Sequence, residues 1–78
     1  MKLLICTNQS KAVQFQKDAE GQIVVTAMQW NEIEKRYEFW FSIGTFKTFN
    51  GAKRSAIKQM SDQGYHFSDN AIMNFKSI

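Results

Sequence analysis

The chain has no proline, one cysteine and one histidine among its 78 residues. Each scarcity removes a class of explanation. A single cysteine excludes an internal disulfide and fits a reducing, cytoplasmic setting. One histidine and one cysteine fall short of the four ligands of a structural zinc site, and no metal-binding spacing occurs, so no metal or cofactor is expected. No apolar run is long enough to span a bilayer, and no membrane partner is expected. The opening Met-Lys-Leu-Leu-Ile-Cys-Thr is too short and too soon polar for a signal peptide. Without proline, and with 44% hydrophobic residues, the chain does not read as a linker or a disordered tail. Gly44 and Gly51 match neither of the glycine spacings that cradle phosphates.

What remains is a single domain over residues 1–78 with one core. A chain of this size buries roughly 60% of the surface it exposes when unfolded, which leaves a small stability margin. The 14% aromatic content makes such a core feasible, because each buried ring removes on the order of 150–250 Å² from water.

The stretch from Phe39 to Gly64 is the most informative. Tyr37, Phe39, Phe41 and Ile43 alternate with Arg36, Glu38, Trp40 and Ser42, as a half-buried antiparallel strand requires. On that pattern the first set faces the core, the second faces away, and Gly44 ends the strand. Thr45 to Thr48 form a short connection into a helix over residues 50–63, with Asn50 as N-cap and Thr48 competing. Phe49, Ala52, Ala56, Ile57 and Met60 share one stripe of that helix. Arg54 and Lys58 lie away from it, Lys53 sits at its edge with its charge reaching water, and Gly64 suits the position just past the end. The expected core includes Phe39, Phe41, Ile43, Phe46, Ala56, Ile57 and Met60.

Upstream, Lys2–Thr7, Ala12–Lys17 and Gln22–Trp30 read as strands, separated by Asn8-Gln9-Ser10 and by the hairpin signal Asp18-Ala19-Glu20-Gly21. Asn31 to Lys35 is a charged loop. The class is α+β: an antiparallel three- or four-stranded sheet packed on one main helix. In the tail, Ser68, Asp69 and Asn70 look like a helix start, with Ala71, Ile72, Phe75 and Ile78 on one face. Alternation of Ala71, Met73 and Phe75 also permits a strand.

Catalysis usually needs two positioned polar groups with shifted proton affinities, or a metal. Cys6 and His66 are the only candidates for a nucleophile and base. Cys6 lies in an apolar strand and His66 between two aromatic residues, so packing roles account for both. No enzyme is expected, and the function is sought in binding.

The face of the sheet opposite the helix carries Trp40 with Arg36 and Glu38, joined by Thr26, Met28 and Trp30 if the neighbouring strand pairs in that register. Tryptophans on a wet face call for a cover. That cover is residues 1–17, the C-terminal segment or a partner. From Gly44 to Met60 there are four cations, Lys47, Lys53, Arg54 and Lys58, and no acid, and the chain carries net charge +3. Such a surface attracts phosphates through a salt-sensitive term. The expected contact residues are therefore Trp30, Arg36, Trp40, Lys47, Lys53, Arg54 and Lys58.

Gly44-Thr45-Phe46-Lys47-Thr48, followed by Ala52, resembles the G-T-F-x-T-x-x-x-A segment of AP2-type DNA-binding domains. Those are three-stranded sheets on one helix, a layout shared with the arm-binding domains of some phage integrases. The resemblance implies DNA contact through the exposed sheet face. Trp40 and Ser42 stand where that family carries Arg and Trp, in that order, and its arginine-rich first strand has no counterpart. In size and layout the chain also resembles small phage-encoded inhibitors, anti-CRISPR proteins among them, which implies a protein target. The partner is thus nucleic acid or a nucleoprotein, a protein, or a second copy forming a homodimer through outer sheet faces or an edge strand.

Overall fold

In a computed structural model of the chain, residues 2–77 are described; Met1 lies outside them, as does Ile78, which the tail periodicity places beside Phe75. Strands β1 (Lys2–Ile5), β2 (Lys11–Lys17), β3 (Ile23–Asn31) and β4 (Arg36–Phe46) form one antiparallel sheet in that order. Helices α1 (Phe49–Asp62) and α2 (Asp69–Asn74) follow. The α+β class holds, with four strands and with helix, not strand, in the tail.

Local chemistry sets the connections. The Asp18 carboxylate accepts from the backbone N–H groups of Glu20 and Gln22, and Gly21 adopts a positive φ of 80°, which closes the β2–β3 hairpin. Asn31 does the same for β3–β4, accepting from Ile33 and Glu34. Thr48, not Asn50, caps α1: its hydroxyl accepts from Gly51 N–H at 3.1 Å. The helix starts one residue earlier than the periodicity places it, with the Phe49 ring 6.1 Å from Phe15. At the other end Tyr65 N–H reaches the Met60 carbonyl and Gly64 N–H the Ser61 carbonyl, with Gly64 at φ 88°. That is a Schellman ending, which uses the left-handed glycine the sequence supplies.

The core lies between α1 and one sheet face. Leu4, Val13, Phe15, Val25 and Ala27 meet Ala52, Ala56 and Met60, and Phe67 and Phe75 close the side. The two alanines on α1 are fully buried, so helix and sheet approach closely there.

β4 departs from simple alternation. Phe39 stands opposite Met28 and Phe41 opposite Ala27, so Trp40 is an extra residue; Ser42 pairs with Thr26 and Gly44 with Val25, so Ile43 is another. Two bulges three residues apart give the strand a period of three in exposure, with Arg36, Phe39, Ser42 and Thr45 the exposed positions. The physical gain is burial. Bulging brings Trp40, Phe41, Ile43 and Phe46 all against the core, where strict alternation leaves Trp40 outside.

This corrects three expectations. Phe39 and Tyr37 do not face the core; Phe39 is 64% exposed on the open face, and Tyr37 stands there opposite Trp30. Trp40, Arg36 and Glu38 do not lie on the open face, because one inserted residue inverts every side chain on its far side. Gly44 does not end the strand: it stays extended at φ 150° opposite Val25, with the Phe46 ring packed over the position its Cβ would occupy.

Candidate functional site

The open face is built from the strand register. One row crosses all four strands: Ile5, Ala12, Met28 and Phe39. Beside it run Leu3, Gln14, Thr26 and Ser42, then Gln16, Val24 and Thr45; at the other end Trp30 stands opposite Tyr37. None of these positions is Asp, Glu, Lys or Arg. Leu3, Ile5, Trp30 and Phe39 are exposed. Ala12 lies on this face yet is fully shielded, a shallow point between the larger Ile5 and Met28.

The Trp30 end is held rigidly. Its ring meets Tyr37 edge-on at 5.0 Å, its indole N–H donates to Glu32 at 2.8 Å, and the Tyr37 hydroxyl donates to the Gln9 carbonyl at 2.6 Å. Hydrogen bonds from Lys35 and from Trp30 hold the Glu32 carboxyl below its usual range. Burial and the nearby Cys6 push the Tyr37 hydroxyl up. Both aromatic rings are thereby oriented without a partner.

Of the contact residues expected from sequence, only Trp30 stands on this face. Trp40 is half-buried on the helix side, 5.7 Å from Tyr65 and 4.8 Å from Phe41, with the Lys11 ammonium over its ring. Arg36 is exposed opposite Asn31, also on the helix side. Lys53 does not send its charge to water: it donates to the carbonyls of Ile72 at 2.5 Å and Phe75 at 2.7 Å, fastening the C-terminal segment. Its half-buried stem leaves the ammonium facing two carbonyls at the C-terminal end of α2, that of Ile72, which also accepts from the Phe75 N–H at 3.3 Å, and that of the cap residue Phe75, and the end of a helix attracts a cation. Lys58 pairs with Asp62 at 3.1 Å. Lys47 and Arg54 are exposed, with no side-chain hydrogen bond or ion pair among the described residues.

The basic helix surface and the open sheet face therefore lie on opposite sides of the molecule. They do not form one site. Phe39, Tyr37, Ile5 and Leu3 are the open-face residues the sequence reading misses; Leu3 and Ile5 alternate with buried Leu4, which is a signal for their exposure.

Compared with known proteins, the chain matches no family pattern, no curated protein and no solved structure. Function rests on the geometry.

The catalytic candidates are occupied otherwise. Cys6 is buried and its thiol is pushed up to about 11, mainly by burial, with Lys11 pulling the other way. The His66 ring lies 3.3 Å from the Ser61 hydroxyl, and its carbonyl accepts from Thr7 N–H. Among the described residues no three acidic, histidine or cysteine side chains gather as a metal site. No described helix is long and apolar enough to cross a membrane.

Proposed function

We propose that the protein is a non-catalytic binding module whose contact surface is the open sheet face and whose partner is an uncharged, apolar protein surface. The supporting observation is that no described strand position of that face carries a charged side chain, in a chain of 17 charged residues, and the Glu32 carboxylate meets it only from the loop at the Trp30 end. Nucleic-acid readers of comparable layout place cations where phosphates pass, and phosphate contacts supply most of their non-specific affinity. This face offers none. It offers Phe39, Trp30 and Tyr37, residue types that anchor protein interfaces.

A second reading keeps nucleic acid on the helix side. Its support is the acid-free run from Gly44 to Met60, in which Lys47 and Arg54 have no ion-pair partner among the described residues. Binding of mixed-sequence DNA and RNA at about 50 and 200 mM salt separates the two, with Phe39→Ser and Lys47→Gln/Arg54→Gln as variants. The proposal expects Phe39→Ser to leave any nucleic-acid binding unchanged. Binding that falls when Phe39 is replaced overturns it.

A further inference from the structure

Building on that reading of the open face, we infer that its occupant is a second copy of this chain, docked face to face about a two-fold axis parallel to the strands. Three observations carry this. The first is charge. A protein of net charge +3 repels its own copy through most of its surface, but these two faces meet through strand positions that carry no charge, and the Glu32 carboxylate at the Trp30 end is paired with Lys35 of its own chain.

The second is self-complementarity. A two-fold axis in the interface plane, parallel to the strands, lays the row Ile5, Ala12, Met28, Phe39 on the same row running in reverse. Met28 of one copy then faces the shielded, low Ala12 of the other, and Phe39 faces Ile5. Large meets small at the centre and two apolar groups meet at each edge. Sheets packed face to face in this way keep their strands within about 30° of one another, a crossing their twist imposes.

The third is area. Four strands about 4.8 Å apart, most of them seven or more residues long at about 3.3 Å per residue, give a face of about 500 Å². Two copies bury on the order of 1,000 Å² in total, the lower bound for a specific and reversible interface. The β4 edge carries two bulges and the β1 edge is only four residues long, so neither edge is well suited to pairing and the face is the route to association.

Sedimentation over a concentration series tests this on the intact chain. The expected mass rises from 9.1 kDa towards twice that value, with little change between about 50 and 500 mM salt because the strand positions that meet carry no charge. Phe39→Lys and Ile5→Asp each abolish the rise while melting like the parent at dilute concentration. Mixed one to one, they dimerise, because Lys faces Asp at one edge while Ile5 and Phe39 still meet at the other. A parent that stays monomeric to about 0.5 mM overturns the inference, given the affinity an interface of this area supports. So does a dimer whose mass Phe39→Lys leaves unchanged, or a mixture that stays monomeric. The nucleic-acid assay reports on the face's ligand class separately, so failure of the dimer and failure of the protein-binding reading are distinguishable.

Discussion

Trp40 and Phe41 are sequence neighbours whose rings meet edge to face, 4.8 Å apart at 72°, on the same side of the sheet. Neighbours in a regular strand point to opposite faces. The contact exists because Trp40 is the bulged residue. Replacing Trp40 with Ala removes this ring pair, the contact with Tyr65 and the seat of the Lys11 ammonium. The expected loss is about 2–3 kcal/mol, below the 3–5 typical of a fully buried ring, and a Tm lower by about 10 °C or more. Phe39→Ala, one residue earlier, is expected to cost less than about 1 kcal/mol at micromolar concentration, because that ring is already in water. Thermal melts of the two variants check the pair; equal losses would place the bulge elsewhere.

Gly44 is constrained by conformation and by space. Its φ of 150° is unfavourable for any side chain, and an added Cβ meets the Phe46 ring at 3.3 Å. Gly44→Ala should cost about 1–3 kcal/mol. Gly21→Ala, also at positive φ but with nothing within 4 Å, should cost less, and the difference in denaturant midpoint reports the ring contact.

Lys53 fastens the tail. Lys53→Met keeps the stem and deletes both bonds to the Ile72 and Phe75 carbonyls. The expected cost is about 1–3 kcal/mol, seen as faster amide exchange in residues 69–75. Arg54→Gln, one residue away and exposed, should leave that exchange unchanged.

Cys6 gives a pH signature. Its thiol binds a proton more tightly folded, at about 11, than unfolded, at about 9.0. The stabilisation is complete below pH 9 and is lost as pH rises through 11, which amounts to about 2–3 kcal/mol. Cys6→Ala lacks this term, so the melting difference between parent and variant should shrink across pH 9–11. Alkylation of the native thiol at pH 8 should be slow and should accelerate on unfolding.

The readable parts of this protein were those set within a few residues. Asp18 to Gly21 specified a hairpin, Ala52, Ala56 and Met60 specified the buried stripe of α1, and Gly64 specified its left-handed ending. Ser68 capped α2 through Ala71 N–H, which resolved the ambiguous tail as helix. Each of these signals is complete in its own segment, so local chemistry alone decides it.

The open face was different. Whether Phe39 or Trp40 faced water depended on whether β4 bulged, and that in turn depended on how much ring area α1, Lys11 and Tyr65 could cover. Likewise Lys53 was a surface cation in sequence and became a fastening only once α2 brought the Ile72 and Phe75 carbonyls beside it. The sequence by itself determined the elements, their ends and the helix stripe. Tertiary structure decided which aromatic ring was left outside, because a one-residue insertion exchanges the faces of a strand at little local cost, and only the core packed against it selects between them.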